Sequence, residues 1–153
     1  MRLRLWDHMK YLVAALVIAA IVALFFRSKR AGDPSFKPLD VTNREDRSLE
    51  AFYRAYYAES GVKEISIPVI GEVLEAVSNA TGLPAGKLEP ADALGAIAAA
   101  NGLQRAFLVA HLGNEFPEAE KEMMQNMAAG EFTHLHHAIA LVVNARVRAR
   151  QGA

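Results

Sequence analysis

The histidines and the acidic residues beside them are the side chains whose types could bind a metal. His134 and His137 are three residues apart and share a helix face, and Glu131 could add a carboxylate oxygen. His111 and Glu115 form a second pair, four residues apart. Neither set supplies three ligands at the spacing of a zinc motif, and the chain has no cysteine for a thiolate site. We therefore expect histidines that respond to pH, and no metal or other cofactor.

Nucleophilic catalysis is the second chemistry to consider. Five serines follow the basic cluster that ends at Arg30: Ser35, Ser48, Ser60, Ser66 and Ser78. They fall in expected loops or helices, without the glycine pattern of a nucleophile elbow. No glycine-rich loop that would cradle a phosphate is present either. Because no set of residues forms a complete catalytic site, we expect a protein that is not an enzyme.

Charge is unevenly distributed, although the chain has 17 basic and 17 acidic residues. Residues 1–30 carry six cations and one acid, so their net charge is plus five and that of residues 31–153 is minus five. An acidic body repels the phosphate backbone of nucleic acids. Nucleic acid is therefore not an expected partner.

The segment from Tyr11 to Phe26 consists of sixteen apolar residues and is followed by "RSKR". As a helix it rises about 24 Å, and a snorkelling Lys10 extends it toward the ~30 Å of a hydrocarbon core. Bulky and charged residues follow where a cleaved signal peptide needs small ones, and the polar stripe of a soluble helix is missing. We predict an uncleaved single transmembrane helix in an anchor region 1–30. A cleaved signal and a buried soluble helix are the alternatives.

The flanks of this segment bear on its orientation. Positive residues favour the cytoplasmic side, and they are nearly balanced between the two ends. The cluster that adjoins the membrane favours a cytoplasmic C-terminal domain, and we expect the location to be a bacterial inner membrane. The residues expected to contact the bilayer are Trp6, Tyr11, Phe25, Phe26, Arg27, Lys29 and Arg30.

Apolar residues after the anchor recur at helical spacing, and no strand-like alternation appears, which predicts an all-α fold. Residues 31–47 contain two prolines and several turn formers and are expected to form a linker. The helical domain is expected to span 48–153. Its predicted helices cover residues 48–61, 66–82, 91–102, 103–114, 117–130 and 132–150.

Residues that favour helix ends lie at these boundaries. Ser48 is a suitable N-cap, and Pro68 suits a first turn. Glycines 82, 102 and 130 are placed to end helices. The side chains expected to face the core include Val69, Ile70, Val73, Leu74, Val77, Met123, Met124 and Met127.

The order of the helices and several stretches of text resemble the acyl carrier proteins. "IGEVLEAVSNATGLPAGKLEPADALG" is similar to their first helix and the loop that follows it. "LQRAFLVAHLGNEFP" resembles the second helix, and "GEFTHLHHAIALVVNA" the closing one. The resemblance covers about residues 64–148. It implies a small acidic bundle whose second helix docks partner proteins.

The chain departs from this family at the residue that carries its chemistry. Acyl carrier proteins attach phosphopantetheine to a serine in Asp-Ser-Leu at the start of the second helix. The corresponding residues here are Asn101, Gly102 and Leu103, which offer no hydroxyl. We therefore expect recognition without a prosthetic group. The expected docking residues are Leu103, Phe107 and Leu108 of the second helix, and Phe52, Tyr53 and Tyr56 of the first predicted helix, whose aromatics either form a surface or pack onto the domain.

Together these patterns predict a membrane-anchored adaptor or accessory subunit that binds protein partners beside the lipid bilayer. The alternative is a small single-pass subunit of a larger complex, in which the transmembrane helix makes the main contacts through its small alanines. The arginines at 146, 148 and 150 suit either a solvated helix end or contact with anionic headgroups.

Overall fold

A computed structural model of the chain describes residues 35–59 and 67–151. These residues form an all-α domain, as predicted, and contain no strand. The helices are α1 (Leu49–Tyr56), α2 (Ile67–Thr81), α3 (Leu94–Ala99), α4 (Arg105–Glu115), α5 (Pro117–Ala128) and α6 (Leu135–Gln151), with a 3-10 turn at Ala85–Lys87.

The predicted anchor, with its membrane-contacting residues from Trp6 to Arg30, lies outside the described residues. Within the described ranges, none of the helices has the length and the apolar character needed to cross a membrane. The anchor therefore stays a prediction from the sequence.

The helix ends follow the capping residues that the sequence contains. The Ser48 hydroxyl accepts a hydrogen bond from the Ala51 N–H (3.2 Å) and begins α1. Pro68 lies in the first turn of α2, and Pro117 is the first residue of α5. Glycines 82, 102 and 130 follow α2, α3 and α5 with φ of 73°, 64° and 77°, which confirms their predicted places.

The core lies between α2, α4 and α6, with α5 packed against α4 and α6. The predicted stripe of α2 is confirmed, since Val69, Ile70, Val73, Leu74 and Val77 are all buried. Helices α4 and α6 supply most of the facing side chains, which include Leu108, Val109, Leu112, Leu135, Ile139 and Val142.

The prediction for Met124 is wrong. Its side chain is 44% exposed, whereas Met123 is fully buried and Met127 is partly buried. Helix α5 turns Ala119, Met123 and Met127 toward α4 and α6, at intervals of four residues. Met124 lies about 100° further round the helix and faces solvent.

The predicted helices on either side of α4 are present but shorter than expected. The six-residue α3 lies within the predicted helix 91–102. The 12-residue α5 lies within the predicted helix 117–130. It begins directly after α4 because Phe116 separates the two and Pro117 suits a first turn.

Residues 35–47, called the arm below, contain no helix and pack along the domain. The Leu39 N–H donates to the Ala96 carbonyl and the Arg47 N–H to the Gly86 carbonyl, both at 3.0 Å. The Phe36 ring lies so close to Gly95 that a β-carbon there would clash with it. The described part of the predicted linker 31–47 therefore contains no helix and is bound to the domain along its length.

Candidate functional site

The pair formed by Arg44 and Asp92 fixes the middle of the arm to the domain. The Arg44 guanidinium donates to both carboxylate oxygens of Asp92, at 2.7 and 2.8 Å, and also to the Lys87 carbonyl at 3.2 Å. One Asp92 oxygen accepts the Glu89 N–H as well (2.7 Å). Asp92 is only 6% exposed, so these bonds offset the cost of burying its charge. The hydrogen bonds that Arg44 donates to Asp92 raise the pKa of Arg44 above its ordinary value.

The last arm residue, Arg47, contacts α1. Its guanidinium lies 5.6 Å from the centre of the Tyr56 ring and donates to the Tyr56 hydroxyl (3.0 Å). Looser ion pairs join it to Glu45 (3.5 Å) and Glu89 (3.7 Å). Burial, followed by the charge of Glu89, raises the pKa of Tyr56. Tyr56, one of the expected docking residues, therefore already contacts the arm.

The other aromatics of α1 pack mainly onto the domain. Phe52 is fully buried and meets Tyr56 edge to face, with ring centres 4.9 Å apart. Tyr53 is half-buried and stacks on Tyr57, whose pKa is raised by burial to about 12. Of the three expected docking residues of α1, only Tyr53 and Tyr56 reach the surface, and Phe52 supports them from beneath.

The expected docking residues of α4 border a groove of about 320 Å³, called the α4 groove below. Leu103 and Phe107 are half-buried at its walls, and Leu108 is fully buried beneath them. The structure therefore brings these three residues together, but Leu108 belongs to the core. The groove is completed by Ala80, Ala110, His111 and Asn114.

One ring nitrogen in the α4 groove has no partner among the described residues. The Nε2 atom of His111 is buried and makes no hydrogen bond to them. An unsatisfied buried polar atom costs about 1–3 kcal/mol, and a water molecule or a bound partner that reached it would remove that cost. The groove thus combines apolar walls with one polar atom that a bound peptide group would satisfy.

A larger cleft, which the sequence did not indicate, lies between α1 and α2. It encloses about 520 Å³, with Leu49, Phe52 and Leu74 among its apolar lining and Glu72 and Glu75 among its polar lining. In this cleft the Leu49 side chain lies very close to Gly71. A β-carbon added at Gly71 would require the leucine to shift. A glycine within the helical pattern of α2 was the only sign of this approach in the sequence.

His134, His136 and His137 form a cluster at the start of α6, with ring centres 4.0–5.8 Å apart. The Nδ1 atom of His137 accepts the N–H groups of Thr133 (3.1 Å) and His134 (3.3 Å). Burial, then the two neighbouring imidazoles, lowers the pKa of His137. The cluster caps α6 through a neutral imidazole. Across residues 35–59 and 67–151, no three potential ligands are placed to hold one metal ion.

The C-terminal arginines join helices. Arg146 pairs with Glu72 of α2 (2.5 Å) and Glu118 of α5 (3.0 Å), while Arg148 pairs with Glu122 of α5 (2.6 Å). The two glutamates raise the pKa of Arg146. Arg146 and Arg148 therefore connect α6 to its neighbours, and Arg150 remains exposed at the helix end.

Comparisons with other proteins add no further assignment. No protein family, no curated protein and no solved structure matches the chain. The evidence on its function therefore comes from its own sequence and structure.

Proposed function

We propose that the chain is a membrane-anchored, non-enzymatic module that binds partner proteins, as an adaptor or an accessory subunit. The observation that carries the proposal is the sixteen-residue apolar segment with basic flanks, joined through a short segment to a folded helical domain. Its place would be a bacterial inner membrane, with the domain in the cytoplasm. Tethering raises the local concentration of the domain near membrane partners, so a modest affinity suffices.

In this proposal the domain is a carrier-like helical bundle that lacks the serine to which a prosthetic group would be attached. The residue that corresponds to the modified serine is Gly102, whose φ is 64°. Residues with a side chain rarely adopt this left-handed conformation, so a serine here would be strained. Both the residue type and the backbone support a domain that works by recognition alone.

The α4 groove is the best-supported place for a protein partner. Its walls are apolar side chains at the surface, and His111 offers a polar atom that is unsatisfied among the described residues. An apolar side chain of a partner would fill the groove between Leu103 and Phe107, while a peptide group next to it bonded to the imidazole. This arrangement is common in binding sites, which combine apolar walls with a few oriented polar groups.

Two measurements test the proposal. After alkaline extraction of membranes the full-length chain should stay in the membrane fraction, and its intact mass should equal the 16.7 kDa of the sequence. Cross-linking in intact cells should capture a protein with the wild-type chain and with Met124→Ala, but much less with Phe107→Ala. Met124 is the matched control because it is an exposed apolar residue on another helix. A soluble chain that lacks residues 1–30, or a mass increase from a prosthetic group, would contradict the proposal.

The alternative is a small subunit whose transmembrane helix makes the main contacts. The segment contains five alanines, at 14, 15, 19, 20 and 23, which permit close approach of another helix. Replacing residues 11–26 with an unrelated transmembrane helix separates the two functions. Capture that survives this exchange supports the adaptor, and capture that disappears supports the alternative.

A further inference from the structure

The arm determines where the chain leaves the domain on its way to the predicted anchor. Phe36 covers Gly95 of α3, and the Leu39 N–H bonds to the Ala96 carbonyl. The bidentate pair between Arg44 and Asp92 holds the arm further along. The first residues of the described chain therefore lie beside α3.

The remaining length of chain limits the distance between α3 and the membrane. The apolar segment ends at Phe26, and its basic cluster ends at Arg30. Six residue steps separate Arg30 from the docked Phe36. A fully extended chain covers at most about 3.6 Å per residue, so Phe36 lies within roughly 20 Å of the headgroups that Arg30 contacts. This limit depends on the anchoring proposed above.

The charges of the domain also favour an orientation in which α3 lies toward the membrane. Residues 93–104, which include all of α3, carry no charged side chain, and arm residues 36–41 carry one exposed cation, Lys37, and one exposed acid, Asp40. Other exposed acids lie on α5, such as Glu118 and Glu120, and on α2, such as Glu75. An anionic membrane surface repels those acids over about a Debye length, which is about 8 Å at physiological salt, and does not repel α3.

The C-terminal end of helix α6 lies far from α3. The helix begins beside α3, since the Leu94 N–H donates to the Thr133 carbonyl and the Leu135 N–H to the Asp92 carbonyl, both at 2.9 Å. From there it runs for 17 residues, which is about 25 Å. Arg150, at its other end, is therefore well separated from α3.

We propose that the face formed by α3 and arm residues 36–41, called the α3 face below, lies against the lipid headgroups of the bilayer that holds the anchor. The short connection keeps it there, and its net charge of zero, with Lys37 offsetting Asp40, lets it approach. Leu103 and Phe107 follow α3 directly, so the α4 groove opens close to the membrane surface. A protein that occupies the groove must then be a membrane protein or one held at the membrane surface.

The absence of cysteine allows a direct test with single labels in the full-length protein. Asn101→Cys, next to α3, and Arg150→Cys, at the far end of α6, are both exposed positions. Each variant carries a fluorophore and is placed in nanodiscs of phosphatidylethanolamine and phosphatidylglycerol that contain lipids with a nitroxide quencher on the headgroup. We expect quenching at residue 101 to exceed that at residue 150 several-fold. Equal quenching, or stronger quenching at residue 150, would overturn the inference.

A second variant tests the role of the short connection without altering the domain. Twenty glycine and serine residues inserted between Arg30 and Ala31 add roughly 25 Å of flexible reach. The difference between residues 101 and 150 should then largely disappear, and a difference that persists would overturn the tether argument. Flotation of the same variants, reconstituted into liposomes of the same lipids, reports anchoring separately. A chain that does not float with the liposomes disproves the proposed anchor, whereas a chain that floats but shows no difference in quenching disproves only the orientation.

Discussion

Arg44 and Asp92 form two parallel hydrogen bonds, 2.7 and 2.8 Å long, although 48 residues separate them in the sequence. The pair joins the otherwise irregular arm to the loop before α3. Planar guanidinium groups match carboxylates in this geometry, which gives direction as well as attraction. The arm is therefore held in a defined path.

We predict that Arg44→Ala destabilises the domain by about 2 kcal/mol, because the change leaves a buried carboxylate with fewer partners. Thermal unfolding of the full-length chain in detergent should show a melting temperature several degrees lower. Chymotrypsin should also cleave after Phe36 more rapidly. Arg148→Ala, which breaks an exposed ion pair, is the control and should change stability by less than about 1 kcal/mol. An equal effect of both variants would contradict the prediction.

A second prediction concerns the contact between Phe36 and Gly95. Gly95→Ala places a methyl group against the Phe36 ring and should destabilise the domain by about 1–3 kcal/mol. The double variant Gly95→Ala/Phe36→Ala should recover part of that loss, as seen in the unfolding temperature. Gly113→Ala is the matched control, since its β-carbon would meet only the flexible side chain of Glu120. If Gly95→Ala is tolerated as well as Gly113→Ala, the arm does not lie where described.

A third prediction concerns pH. The pKa of His137 is lowered in the folded chain, so folding favours the neutral ring. Its contribution to stability is fully present above the unfolded pKa of about 6.5 and is lost as the pH falls through the lowered folded value. Burial is the main cause of this lowered pKa and the neighbouring imidazoles of His136 and His134 add to it, while Asp92 of the adjoining loop is bonded to Arg44.

The test is the unfolding temperature of wild type and His137→Gln between pH 7.5 and pH 5. Glutamine at the third helical position retains a hydrogen-bond acceptor for the preceding N–H groups but does not titrate. We expect the wild type to lose more stability than the variant on acidification. Parallel curves for the two proteins would show that His137 does not cause the loss.

A fourth prediction separates stability from recognition in the α4 groove. His111→Leu removes the buried nitrogen that has no hydrogen-bond partner among residues 35–59 and 67–151, and it should stabilise the domain by about 1 kcal/mol. The same change should weaken capture of the partner, because the group that would bond to it is gone. Asn114→Ala, at an exposed position of the groove, is the control for stability. A variant that gains stability and captures the partner fully would show that His111 is not a recognition group.

The sequence predicted those features that depend on neighbouring residues. The buried stripe of α2 follows from the spacing of its apolar residues. The start of α1 follows from Ser48, the start of α2 from Pro68, and the ends of α2, α3 and α5 from the glycines that follow them. Met124 was misplaced because it lies at the edge of the stripe that contains Met123 and Met127, about 100° from Met123, and the sequence alone does not state how far the neighbouring helices cover that stripe.

Features that join distant parts of the chain were not predicted. The arm binds the domain through the ion pair of Arg44 with Asp92 and the contact of Phe36 with Gly95. No pattern of neighbouring residues in the sequence predicts either contact. The same holds for Arg146, which appeared as part of a basic tail but bonds to two other helices. Of the expected docking residues, Leu103 and Phe107 border the α4 groove, and their role in docking stays a prediction. The burial of Leu108 depends on the packing of α2 against α4, which the sequence alone does not show.

The pairing of residues 92–94 with 133–135 also bears on the order of events during synthesis. A ribosome delivers the chain from its N-terminus, so Asp92 emerges long before the residues that bond to its backbone and to Leu94. Until the last helix has been made, the loop that binds Arg44 lacks the backbone hydrogen bonds that join Asp92 and Leu94 to residues 133–135. Completion of the C-terminal third of the chain is therefore the step that locks the beginning of the domain into place.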